Sequence, residues 1–88
     1  MEIYIVTNEG ERYDSAYHDI IGVFDSLEKA TTCARTCADD FVHLCDEGDD
    51  RGFDNYTIKT LYPHGIGIIN DDNTNDYEAW YVDIYEVR

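Results

Sequence analysis

The chain has 88 residues, and its 20 Asp and Glu against 6 Lys and Arg give a formal net charge of -14 at pH 7. A charge of this sign repels nucleic acids and anionic membranes and attracts basic surfaces. Eight Tyr, three Phe and one Trp in a sequence that is 43% hydrophobic argue against an acidic disordered tail, since such tails are poor in aromatic residues. We therefore expect a single compact acidic domain over residues 1–88, with room for two packed layers.

The first part of the chain predicts two strands. Ile3 to Thr7 is short and rich in β-branched residues, and Tyr17 to Phe24 contains an apolar run. The stretch between them, Asn8 to Ser15, is polar and predicts a hairpin loop.

The next segment predicts an amphipathic helix over about residues 26–45. The helix is predicted to begin at Asp25 or Ser26, with Asp25 as the N-cap and Glu28 three residues beyond it, as in a capping box. Apolar residues then recur at steps of three and four, which places them on one face: Leu27, Ala30, Ala34, Cys37, Phe41 and Leu44. The opposite face carries Glu28, Thr32, Arg35, Asp39 and His43. A helix of this kind is expected to lie on a sheet and to end near Cys45, before Gly48.

The last third of the chain predicts further strands. Asn55 to Tyr62 alternates until Pro63, a short apolar piece covers Ile66 to Ile69, and the polar loop Asn70 to Asp76 leads into Tyr77 to Val87. The order of these elements predicts an α+β two-layer sandwich. We expect one helix on an antiparallel or mixed sheet of four to five strands, in a ββαββ-like arrangement.

One face of this sheet is expected to remain open and to carry tyrosines. In the last strand one face bears Trp80, Val82 and Ile84, which we expect to point to the helix. The candidates for the open face are Tyr4, Tyr81, Asp83 and Tyr85. Such a face can form a homodimer or dock a protein partner, and the alternative is that the rings only cover a thin sheet.

The cysteines indicate a reducing compartment. The chain has an odd number of thiols, no basic or apolar leader, and no segment near the roughly 20 apolar residues that cross a bilayer. We therefore expect a cytoplasmic protein without membrane contact. Cys33 and Cys37 with Cys45 or His43 could chelate a metal, but their spacing matches no common zinc pattern. Core cysteines and no cofactor are the favoured interpretation.

Sequence motifs for catalysis are missing from the chain. The run Asp71 to Asp76 resembles the first half of a calcium loop, but it has Asp76 where such loops need Gly and Val82 where they need Glu. No phosphate loop, nucleophile elbow or metalloprotease motif surrounds His18, His43 or His64. We therefore expect no enzyme activity and no catalytic residue.

The acidic residues concentrate in two clusters. The first lies at the end of the predicted helix and in the segment after it, where the helix dipole makes each carboxylate unfavourable by about 0.3 to 1 kcal/mol. It comprises Asp39, Asp40, Asp46, Glu47, Asp49, Asp50 and Asp54. The second comprises Asp71, Asp72, Asp76 and Glu78. Both are candidates for contact with a basic partner, and a solvated acidic loop is the alternative. If the clusters lie on one side, they form a strip that imitates the charge of a nucleic-acid backbone, with Tyr77 and Tyr56 at its edge.

The stretch Asp19-Ile-Ile-Gly-Val-Phe-Asp-Ser-Leu-Glu-Lys-Ala30, preceded by Ile-Tyr-Ile-Val, resembles the opening of small bacterial and phage proteins. In those a strand ending Gly-Val-Phe leads through a Ser cap into a helix. The size, the acidity and the lack of motifs also resemble phage inhibitors of host defence, such as anti-CRISPR and anti-restriction proteins that mimic DNA. This resemblance implies an inhibitor in the cytoplasm of a bacterial host cell. Its partner would be a basic nucleic-acid-binding protein, a CRISPR effector or a restriction enzyme, and not nucleic acid itself.

Overall fold

The computed structural model describes residues 1–12 and 15–87 as five strands and one helix. In chain order these are β1 Glu2–Arg12, β2 Ser15–Phe24, α1 Leu27–Asp46, β3 Tyr56–Leu61, β4 Gly65–Asn70 and β5 Tyr77–Glu86. The strands form one antiparallel sheet in the order β2-β1-β5-β4-β3, and α1 packs on one of its faces. The predicted two-layer α+β sandwich is confirmed.

The first hairpin differs from the prediction. Residues 8–12, which were predicted to lie in a loop, continue β1, and Ser15 already belongs to β2; Tyr13 and Asp14 lie outside the described residues. The reason is the central position of β1, whose polar residues pair on both sides. Glu9, for example, lies opposite His18 of β2 and Ala79 of β5. Backbone pairing with two neighbours thus overrides the polar composition of this segment.

Local hydrogen bonds determine both ends of α1. Ser26 is the N-cap, and its Oγ accepts a hydrogen bond from the backbone N–H of Lys29 at 3.2 Å. Asp25, the predicted N-cap, instead accepts a hydrogen bond from the Lys29 Nζ at 2.9 Å, so its assignment as the cap was wrong. At the other end Gly48 has a φ of 72°, a conformation that glycine adopts without a steric penalty. The N–H groups of Gly48 and Asp49 donate to the carbonyls of Cys45 and Leu44, which is a Schellman motif.

The core lies between α1 and the middle of the sheet. Its largest fully buried side chains are Ile68, Val6 and Val82, one each from β4, β1 and β5. The helix contributes the small residues Ala30, Ala34 and Ala38, which allow it to lie close to the sheet, and the aromatic ring of Phe41. The Phe41 ring lies 6.0 Å from that of Trp80. Burial therefore follows the predicted faces in part: Trp80 and Val82 of β5 are buried, whereas Ile84 is 46% exposed. On α1 the buried set also includes Ala38 and Cys45, which the predicted face did not contain.

The register of β1 and β5 shows which residues share a face. Directly opposed residues of an antiparallel pair point to the same side of the sheet. Tyr4 lies opposite Ile84, and it packs against the core under the helix. Placing Tyr4 on the open face with Tyr81 and Tyr85 was therefore wrong. No helix among the described residues is long and apolar enough to cross a membrane.

Candidate functional site

The segment after α1 folds back against the end of the helix. Phe53 is buried, its N–H donates to the Cys45 Sγ at 3.2 Å, and its ring lies edge-on to Phe41 with centroids 5.2 Å apart. Gly52 lies so close to the helix that an added Cβ would stand 2.6 Å from the backbone nitrogen of Cys45. With the aromatic ring turned inward, the acidic residues Asp50 and Asp54 remain exposed.

The loop between β4 and β5 is tied to this segment by hydrogen bonds. The Asp71 N–H donates to the Asn55 carbonyl at 2.9 Å, and the Asn55 side-chain amide donates to the Asp72 carboxylate at 3.2 Å. The Thr57 hydroxyl donates to Asp71 at 2.7 Å. These bonds bring the two acidic segments side by side at one end of the sheet.

A cleft of about 340 Å³ lies where the two segments meet. Its acidic lining residues come from both predicted clusters: Asp49, Asp50, Asp54, Asp72 and Asp76. Asn70 and Arg12 also line it. The sequence analysis did not single out either residue, although Arg12 is the sole base in the first 28 residues of the chain. We refer to this site as the acidic cleft.

The other predicted acids lie outside the acidic cleft. Asp39 and Asp40 are exposed on α1, before its last turn. Asp46 accepts a hydrogen bond from the Tyr56 hydroxyl at 2.6 Å, which raises the pKa of that tyrosine. Glu47 lies 2.9 Å from the His43 imidazole. These carboxylates extend the acidic surface along the helix but do not join the cleft.

Glu78 does not belong to the predicted acidic surface. It is buried on the helix side of β5, where it accepts a hydrogen bond from the Asn8 amide at 3.1 Å. The Nε of Arg12 lies 3.7 Å from its carboxylate. Removal from water raises the pKa of Glu78, against the opposing effects of Asn8 and Arg12. A partner at the surface cannot reach this carboxylate.

Arg12 is held beneath the acidic cleft by aromatic rings. Its guanidinium carbon lies 4.7 Å from the centroid of Phe53 and 5.2 Å from that of Phe41, which are cation–π distances. Its charge is directed at Glu78 rather than at the cleft carboxylates, since no ion pair joins it to them among the described residues. Arg12 therefore lines the cleft without forming an ion pair with its carboxylates.

Asp49 is the one cleft carboxylate with a basic partner among the described residues. It accepts hydrogen bonds from the Nε and Nη2 of Arg51, each at 2.9 Å, and from the backbone N–H of that residue at 2.8 Å. These bonds hold the pKa of Asp49 well below its usual range. Arg51 thus offsets the charge of Asp49.

The open face of the sheet carries Tyr81, Asp83 and Tyr85 on β5, as predicted. Exposed apolar side chains of β2 share this face, because Ile20 and Val23 lie opposite Thr7 and Ile5. Tyr85 is 53% exposed, Val23 58% and Ile20 68%. Burial and the nearby charge of Glu9 raise the pKa of Tyr81. This face is therefore apolar at the β2 side and remains without a covering layer.

The cysteines are free thiols on α1. Cys45 is buried, and Cys33 and Cys37 are half-buried against the core. Burial, followed by the proximity of Cys33, raises the pKa of the Cys37 thiol. In residues 1–12 and 15–87, no three His, Cys, Asp or Glu side chains are grouped closely enough to hold a metal ion.

The acidic cleft, at one end of the sheet, and the open face are thus two separate surfaces. Comparison of the chain with protein-family models, with curated proteins and with solved structures found no match.

Proposed function

We propose that the protein is a non-enzymatic acidic binding protein that occupies the basic groove of a nucleic-acid-binding protein and excludes the nucleic acid. The observation that supports this proposal is the acidic cleft, where carboxylates from two distant segments meet. The partner we propose is a bacterial defence protein, a CRISPR effector or a restriction enzyme, inhibited by a protein of a phage or a mobile element.

The proposal rests on charge that the protein itself does not neutralise. Asp50, Asp54 and Asp72 are exposed, and none of them lies in an ion pair among the described residues. Grooves that bind nucleic acids are lined with Lys and Arg that neutralise phosphates. A rigid group of carboxylates can occupy such a groove, and its attraction to the groove is long-ranged at low salt.

The test is the displacement of a fluorescent DNA duplex from a purified CRISPR effector and from a restriction enzyme. The wild-type protein is expected to displace the duplex, and its apparent affinity is expected to fall at least about tenfold between 50 and 200 mM salt. The double variant Asp49→Lys with Asp50→Lys is expected to have an apparent affinity at least about tenfold lower than that of the wild type at the same salt concentration, because it places two cations in the acidic cleft.

The matched control is the double variant Glu2→Lys with Glu86→Lys. These residues lie opposite each other at the far end of β1 and β5, and they give the same change of net charge. The control is expected to keep most of its affinity, because the Debye length is about 8 Å at physiological salt. Equal losses in the two double variants would show that net charge alone matters, and displacement indifferent to salt and to both variants would rule the proposal out.

If neither enzyme binds, a pull-down from bacterial lysate at low and high salt tests the wider form of the proposal. The expected prey is a nucleic-acid-binding protein that the wild type and the Glu2/Glu86 variant retain at low salt. The Asp49/Asp50 variant should release it, and so should high salt. A prey that all three proteins retain at high salt would contradict binding through the acidic cleft.

The exposed open face favours a second candidate function, a small module that dimerises or docks a protein partner through Tyr81 and Tyr85. A face with large exposed apolar side chains, such as Ile20 and Val23, is typical of interaction surfaces. If this face makes the contact, Tyr81→Ala and Tyr85→Ala should weaken association more than reversal of the cleft acids, and salt should have little effect.

Sedimentation over a range of protein concentrations measures this self-association. Tyr62→Ala is the control, since Tyr62 is 95% exposed and lies in the β3–β4 turn, away from the open face. A monomer at all concentrations that binds its partner equally well with and without Tyr85 would exclude this second function.

A further inference from the structure

One helix cannot cover five strands. Neighbouring strands lie about 4.8 Å apart, so the sheet is roughly 20 Å wide, whereas a helix with its side chains is about 10 to 12 Å across. The main contacts of α1 are with β1, β2, β4 and β5. On the helix side of the edge strand β3, Tyr56 still reaches Asp46 of α1. The rest of β3 is left uncovered there, and Ile58 is 57% exposed although it lies directly opposite the buried Ile68.

This arrangement leaves a cleft of about 420 Å³ between α1 and the β3–β4 hairpin. The strands supply apolar side chains to it, Ile58 and Ile66, and α1 supplies Ala34. Its polar groups are hydroxyl, imidazole and guanidinium, from Thr31, Thr60, His64 and Arg35. It shares no lining residue with the acidic cleft.

The charge of this cleft is opposite to that of the molecule. None of its lining residues is Asp or Glu, in a chain that has 20 of them. Arg35 is exposed and forms no ion pair within 4.0 Å among the described residues, whereas Arg12, Lys29 and Arg51 each do. Even Asp39, one turn further along α1, is not within this distance. Arg35 therefore has no carboxylate within ion-pair distance in residues 1–12 and 15–87.

We propose that this cleft binds an organic carboxylate with a branched apolar body, with the carboxylate on Arg35 and the body on Ile58 and Ile66. A guanidinium matches a carboxylate in a two-point geometry, and the Thr60 hydroxyl is a further donor. Contact of the apolar body with Ile58 and Ile66 removes apolar surface from water, which favours binding. The site is independent of the acidic cleft, so each can fail without the other.

N-acetyl-L-leucine is the probe, added at millimolar concentration to the ¹⁵N-labelled full chain. Saturable changes of amide chemical shift are expected at Arg35, Ile58 and Ile66. L-leucinamide has the same apolar body with a cation in place of the carboxylate, and it is expected to leave these amides unchanged. Equal changes with leucinamide, or none with N-acetyl-leucine, would overturn the proposal.

Arg35→Gln is expected to weaken binding of the probe at least about tenfold, since a hydrogen bond to a charged group contributes about 1.5 to 3 kcal/mol. Lys59→Gln is the control, because it makes the same change of charge on the opposite face of the sheet. Unchanged binding by the Arg35 variant would refute the assignment. A tetrapeptide ending in leucine distinguishes two sources of the ligand. If it binds more tightly than N-acetyl-L-leucine, the natural ligand is the C-terminus of a peptide chain; if the two bind equally, it is a small organic acid.

Discussion

Glu78 is the residue whose behaviour departs most from its place in the sequence. It follows the acidic loop and is chemically like its neighbours, but the alternation of β5 turns it toward the helix, beside Asn8 and Arg12. Composition indicates only that an acid is present. Its position in the alternation of the strand decides whether its side chain points to solvent or to the core. The inclusion of Glu78 in a binding surface was wrong for this reason.

The burial of Glu78 predicts a pH dependence of stability. Its pKa is raised in the folded state, mainly by removal from water, so folding favours its protonated form. Its stabilising contribution is complete below the unfolded-state pKa and is lost as pH rises through the raised folded-state pKa. The free energy of unfolding of the wild type, measured with urea from neutral to mildly acidic pH, should therefore rise relative to that of Glu78→Gln as pH falls. If the wild type instead becomes less stable relative to Glu78→Gln at lower pH, the effects of Arg12 and Asn8 on the pKa of Glu78 outweigh that of desolvation.

At the scale of elements, α1 could be predicted because its apolar spacing and its stop at Gly48 are local features. Its exposed residues, such as Thr32 and His43, lie where the spacing placed them. The face of β1 could not be predicted, since residues 3–6 are all apolar and give no alternation. Only the register with β5 shows that Tyr4 points to the helix.

The N-cap of α1 carries a prediction at this scale. Ser26→Ala removes the acceptor of the Lys29 N–H and should destabilise the fold by about 1 kcal/mol in urea unfolding. Asp25→Ala is the comparison, since Asp25 forms an exposed side-chain pair with Lys29, a kind of pair that contributes little. If Asp25→Ala lowers the free energy of unfolding more than Ser26→Ala does, Asp25 rather than Ser26 is the effective cap.

For the whole molecule, the meeting of the two acidic segments depends on the order of strands, which composition does not contain. The sequence analysis could name Asp49 and Asp72 as candidates, but β3 and β4 had to be placed before their loops could be seen to touch. Arg12 was missed because it comes from a third segment, at the end of β1.

The net charge of -14 predicts that salt stabilises the fold. Three ion pairs of Lys or Arg are present among the described residues, so repulsion between carboxylates dominates, and salt screens it. The midpoint of thermal unfolding should rise with NaCl, by about 4 to 8 °C for each kcal/mol gained. KCl at equal ionic strength should raise the midpoint by the same amount, because screening does not depend on which monovalent cation is present. A midpoint that falls with salt would show that attractive pairs prevail.

The position of β5 also has a consequence for how the chain folds. β1 with β2, and β3 with β4, are hairpins that can form locally, but they share no contact in the sheet until β5 enters between them. The last strand in the chain is thus the one that joins the halves, and it brings Trp80 and Val82 to a helix that precedes it by some 30 residues or more. Such long-range closure is typical of domains that fold in milliseconds to seconds. Without β5, Arg12 of β1 would have no connection through the sheet to the other residues that line the acidic cleft.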